Sequence, residues 1–158
     1  MKLDFFKQII NGYAAKAYDK ILKEKLQKIK ANPIFWSDFS NGYIEYSELA
    51  GYRFLNIRII GPTKLDSVNG LSFEFISGNK SETLNSDSDI VKSDYSDVSQ
   101  IGLTKFDLDC EDKTIHFLYN HKVDTIRLSA KNGQLLKEEV VMIFTNFDQQ
   151  TLLKKLPK

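Results

Sequence analysis

Between residues 4 and 30 the apolar positions recur at steps of three and four: Phe6, Ile10, Tyr13, Ala17 and Ile21, then Leu22, Leu26 and Ile29. That spacing lays an apolar stripe along a helix, with Lys16, Lys20, Lys23, Lys28 and Lys30 on the polar side. Asp4 stands where an N-cap belongs. Asn11-Gly12 weakens the middle of the helix and predicts a kink or a break, and Asn32-Pro33 ends it. The stripe is expected to face a core.

After Pro33 the period shortens. Residues 42–49, 51–61, 71–77, 100–110, 114–120, 124–130 and 140–147 are rich in β-branched and aromatic side chains, and several alternate apolar with polar. Turn signals separate them at Asn41-Gly42, Ala50-Gly51, Gly61-Pro62, Asn69-Gly70, Asp112-Lys113 and Asn132-Gly133. Connections this short join antiparallel neighbours, because a parallel crossover needs a dozen residues or more. Residues 134–141 fit helix and strand equally. Residues 148–158 predict a last helix, capped by Asp148 and stopped by Pro157. The expected architecture is therefore one α+β domain: a long N-terminal amphipathic helix over 1–32, packed on an antiparallel meander of about seven strands over 33–147, and a short C-terminal helix over 148–158.

The most biased stretch, "TLNSDSDIVKSDYSDVSQ" over residues 83–100, holds five Ser and four Asp. Asn85, Asp87 and Asp89 match the first three ligands of a calcium loop, but Ile90 and Ser96 stand where the turn-making Gly and the bidentate Glu belong. The plainer expectation is a solvated loop between strands, its Ser and Asp bonded to their own backbone. It is tacked down by Ile90, Val91, Tyr95 and Val98, and residues 79–96 are expected to be the least ordered internal segment.

In residues 105–121 a turn at Asp112-Lys113 makes a hairpin. One face is then Phe106, Leu108, Cys110, Ile115, Phe117 and Tyr119, and the other Asp107, Asp109, Glu111 and His116. Three carboxylates beside a histidine are a candidate metal site, although an ordinary wet face has the same composition. Five residues from His116, His121 lies on the opposite side of such a strand. Cys110 falls on the buried phase, which removes it as a nucleophile. Ser77-x-x-Lys80 has none of the companion motifs of a serine acyltransferase. With two His and one Cys in the chain, acid–base and nucleophilic catalysis have little to draw on, and no cofactor site is expected.

Residues 34–46 hold five aromatic residues, including the only tryptophan. Phe35, Trp36, Phe39 and Tyr43 are candidates for a binding patch, set against a role in plugging the end of the sheet beneath the helix. Charge is balanced overall, 22 basic against 21 acidic residues, but unevenly placed. Residues 1–30 carry eight lysines against three acidic residues, and residues 79–112 three lysines against nine. That asymmetry suits contact with a protein partner or a second copy of the chain; nucleic acid is not expected. No stretch reaches the roughly 20 apolar residues of a membrane span, and one cysteine allows no intramolecular disulfide, so a cytoplasmic protein is expected. The leading expectation is a non-enzymatic binding or interaction module. Its rivals are a small metal-dependent or hydrolytic enzyme using the 107–116 face, and a binder of anionic surfaces working through the Lys-rich first helix.

Overall fold

The computed structural model describes residues 2–130 and 140–158, with side chains from Lys7 onward. In chain order the elements are α1 (Lys2–Gln27), β1 (Phe35–Trp36), β2 (Asn41–Leu49), β3 (Tyr52–Gly61), β4 (Leu71–Ser77), β5 (Lys80–Asn85), β6 (Ser93–Ser96), β7 (Ile101–Asp109), α2 (Asp112–Asn120), β8 (Thr125–Ala130), β9 (Val140–Phe144), β10 (Asn146–Phe147) and α3 (Gln149–Leu153). The class is α+β, as the pattern predicts. Residues 131–139, which include the expected Asn132-Gly133 turn, lie outside the described residues.

Every strand pairing is antiparallel, but the strands form two sheets rather than one meander. One sheet runs β10-β1-β2-β3-β7-β6 and the other β5-β4-β8-β9. The chain leaves the first sheet after β3, builds the β4–β5 hairpin in the second, and returns as β6 and β7 beside β3. The sheets are joined at one seam because β9 and β10 are a single strand bent at Thr145. At the other seam Ser86 bridges to Leu108, and the Asp87 N–H donates to the Asp107 carbonyl at 2.8 Å. Both sheets turn their apolar faces onto one core.

Alternation decides which residues fill that core. Leu55, Ile57 and Ile59 of β3, Phe106 and Leu108 of β7, Phe73 and Phe75 of β4, and Ile126 and Leu128 of β8 are all buried in one cluster. Phe35 sits at its centre with no exposed surface. Its ring is edge-on to Phe73 at 5.6 Å and to Phe144 at 4.7 Å between centroids. The ring lies directly over Gly42, where a Cβ would overlap it. This explains why Asn41-Gly42, a turn by composition, is instead the start of β2: the glycine is there for close approach. Elsewhere the turn chemistry acts as expected. Ala50 (φ 52°) and Gly51 (φ 83°) make the two-residue turn between β2 and β3. Ser77 and Lys80 are paired across the Gly78-Asn79 turn of the next hairpin, so their motif is a turn signature.

Residues 112–120 form the helix α2 and not the second arm of a hairpin. Thr114, Ile115, Phe117 and Leu118 are its buried residues, at the one-, three- and four-residue steps of a helix face, whereas only Ile115, Phe117 and Tyr119 fit a period of two. Nor is the Ser/Asp stretch one loop, since β5 and β6 occupy much of it. The remaining connection is held by backbone bonds: Ser86 N–H to the Leu71 carbonyl at 2.9 Å, Gly70 N–H to that of Asp89 at 2.7 Å, and Val91 and Ser67 exchanging two bonds. Val91 is buried, whereas Ile90 and Val98 are exposed. Asn85 ends β5, so it stands on a strand and not in the loop that holds Asp87 and Asp89.

The C-terminal helix begins as predicted. The Asp148 carboxylate accepts from the Thr151 N–H at 3.2 Å and from its hydroxyl at 2.6 Å, and those bonds lower its pKa. α1 begins at Lys2, so Asp4 lies within its first turn and not at the cap, and the helix continues through Asn11-Gly12.

Candidate functional site

The four aromatic candidates are divided by the strand pleat. Phe35 is a core residue. Tyr43 is also buried, on the other face of β2, with the Arg58 guanidinium 5.7 Å above its ring. Trp36 is partly exposed, and Phe39, in the turn between β1 and β2, is 81% exposed. These two are near the β10 edge of the large sheet, whereas α1 is docked at the β6 edge. The plug beneath the helix is thus not what they form; Phe35 alone turns inward, toward the second sheet.

The four candidate metal ligands are spread over two elements. Asp107 and Asp109 project from the outer face of β7, and the Asn56 side-chain amide donates to Asp107 at 2.7 Å. Asp109 and Glu111 line a cleft of about 640 Å³ with Asp87, Asp112 and Arg53. Within it the Arg53 guanidinium is paired with Asp112. His116 is on the exposed side of α2, where Asn120 contacts its ring nitrogen at 3.2 Å. Among the described residues no group of three or more His, Cys, Asp or Glu side chains converges as metal ligands do. Cys110 is buried, on the phase of β7 itself, and burial pushes its thiol up to about 11.

The first helix holds the surprise. Between Lys7 and Gln27 only Asp19 and Leu22 are buried, and every residue from Lys7 to Tyr18 is exposed. At about 100° per residue, Ile10, Tyr13, Ala17 and Ile21 point roughly opposite to Asp19 and Leu22. The expected stripe is therefore split: Leu22 is buried and Leu26 and Ile29 half-buried against the body, whereas its N-terminal part faces solvent, with Ile10 64% exposed, Tyr13 72% and Ile21 54%. A 3.6-residue period identifies a stripe but does not say what covers it.

Buried Leu22 and a set of polar contacts dock the helix. The Ser96 hydroxyl, on β6, donates to the Asp19 carboxylate at 2.6 Å, and Lys23 pairs with its second oxygen at 3.0 Å. Lys25 reaches Asp94 on the same strand at 3.7 Å. Hydrogen bonds from Ser96 and then Ser99, with Lys23, hold the Asp19 carboxyl down at about 2. A depressed folded-state pKa contributes stability above the ordinary value of 3.8, and that contribution is lost as pH falls toward the folded one. Between pH 4 and 2 the wild-type helix is therefore expected to loosen from β6, seen as faster amide exchange in residues 19–27. Asp19→Asn should show that faster exchange already at pH 7 and no further step on acidification. A variant that retains the acid step would show that Asp19 is not the anchor.

No protein-family model, no curated protein and no solved structure matches the chain.

Proposed function

We propose that the chain is a non-enzymatic interaction module: a β body that presents α1 to a partner. One observation carries the reading, the exposed row of Ile10, Tyr13 and Ile21 on the side of α1 turned away from the body. Scattered surface apolar residues are ordinary, but a helical row of large ones flanked by charge marks a contact site. Trp36 and Phe39 offer a second, smaller contact at the opposite edge of the sheet. A single cysteine, buried and unreactive, suits a cytoplasmic setting.

Fractionating a native extract by size and by sedimentation tests this. The wild-type chain should run in an assembly or with membranes, and an Ile10→Glu, Tyr13→Glu double variant as the free 18.2 kDa protein. Both positions are exposed, so the melting temperature should stay within about 2 °C, the usual range for surface changes. A wild-type protein that runs free would sink the proposal.

A further inference from the structure

We infer that the partner of α1 is an anionic lipid surface, on which the helix lies with Ile10, Tyr13 and Ile21 toward the bilayer. The inference rests on the interaction reading above and names its occupant.

Charge narrows the choice first. Lys16 and Lys20 flank the exposed stripe on one side and Lys7 on the other, while Lys25 on that second side pairs with Asp94 of the body. Of the two acidic residues between Lys7 and Gln27, Asp19 is buried against Ser96 on the opposite side. That leaves Glu24 as the one carboxylate on the outward side. Two copies pairing stripe to stripe would bring lysines against lysines, so a second copy is disfavoured. An anionic plane is favoured: long lysine side chains extend past an apolar stripe to reach headgroup phosphates while their stems cover apolar surface.

Geometry narrows it further. From Lys7 to Tyr18 the helix is exposed all round, with no second element alongside among the described residues to form half of a groove. A protein partner would have to build the whole groove, but a bilayer needs only one accessible edge. The stripe points away from the docked side, so a plane can meet it along its length with the body behind.

Energetics point the same way. Ile9, Ile10, Asn11, Gly12 and Tyr13 are weak helix formers in succession, and a stretch as short as the unpacked residues 7–18 is marginal as a helix in water. An interface that buries the apolar side supplies what the body does not. Tyr13 has the apolar ring and polar tip that suit the headgroup level. In a cytoplasmic setting the facing leaflet is the anionic one.

The test is flotation of the full-length chain with vesicles of phosphatidylcholine alone, or with about 30% phosphatidylglycerol added. Binding is expected to the anionic vesicles only, with a rise in helical circular dichroism, and to weaken severalfold at high salt. Ile10→Glu with Tyr13→Glu should reduce binding at least about tenfold by removing the apolar contact. Lys16→Glu with Lys20→Glu should do the same through charge. Equal binding to both vesicle types, or binding unaffected by the Ile10/Tyr13 variant, would overturn the inference. So would a wild-type chain that floats with neither vesicle. If that chain still runs in a soluble assembly that the Ile10/Tyr13 variant loses, the lipid occupant fails while the interaction face stands, its partner then an acidic protein.

Discussion

Phe35→Ala is expected to destabilise the fold by about 3–5 kcal/mol, the range for a large aromatic removed from a packed core. At roughly 2–4 °C per kcal/mol for a chain of this size, the melting temperature should fall by about 6–20 °C. The ring has no exposed surface and meets Phe73 and Phe144 edge-on, so its removal opens a cavity whose walls belong to both sheets. Gly42→Ala should be costly for the converse reason, about 1–3 kcal/mol, because its Cβ would overlap a ring pinned from two sides. The decisive measurement is the double variant. With the ring gone, the new methyl occupies part of the cavity and meets no obstruction. The combined loss should then be at least about 1 kcal/mol smaller than the sum of the two single losses. Strictly additive losses would show that Phe35 does not lie over Gly42, and the account of how β1 closes the core would fail with it.

That pair also illustrates what the sequence could and could not reveal. The strand segments were legible because β3, β4, β7 and β8 each alternate with one face in a single core, and period 2 survives whichever sheet a strand joins. The sheet assignment was not legible, because nothing local distinguishes the hairpin that stays beside β3 from the one that leaves it. Asn41-Gly42 shows how composition can mislead: the same glycine serves a turn or a close approach, and only the distant Phe35 decides. The 112–120 segment failed differently. Its buried Thr114, Ile115, Phe117 and Leu118 have the spacing of a helix face, but Ile115, Phe117 and Tyr119 alone keep a period of two, and a turn at Asp112 makes that strand reading available. Cys110 was placed correctly because its phase is set within β7 alone.

The candidate site was legible in part. The stripe of α1 could be read from the spacing, but not the side of the helix that the body occupies. Asp19 gave no signal as an anchor, since its partner Ser96 is 77 positions away on β6. Most apolar rows on helices face a core. Here Asp19 and Leu22 dock the helix and the row of Ile10, Tyr13 and Ile21 is left outside, which makes its outward face the place to look for function.

The largest effect expected from a single polar residue is at Gln149. Its side-chain amide donates to the Leu118 carbonyl at 2.6 Å and to the His121 carbonyl at 2.8 Å, and its oxygen accepts from the Val123 N–H at 2.9 Å. Leu118 is in the last turn of α2, whose final carbonyls have no partner within the helix. One side chain from α3 thus completes the end of α2 and fixes the segment leading into β8. Gln149→Ala leaves two acceptors and a donor unmatched in a half-buried place, which should cost about 2–4 kcal/mol. The exposed neighbour Gln150 provides the control, with Gln150→Ala within about 0.5 kcal/mol of wild type. Gln149→Glu should be worse than alanine at pH 7, because a carboxylate would face two carbonyl oxygens with no hydrogen to offer. In the fold such a carboxylate has a raised pKa, since its charged form is disfavoured. Its penalty therefore grows as pH rises past the unfolded value of about 4.3 and fades as pH falls below it. Wild type and Gln149→Glu should converge on acidification while Gln149→Ala keeps its deficit relative to wild type. Denaturant melts of the four proteins at pH 7 and pH 4.5 would decide it. Equal stability of the alanine and glutamate variants at pH 7, or a Gln150→Ala variant as damaged as Gln149→Ala, would remove Gln149 from this role.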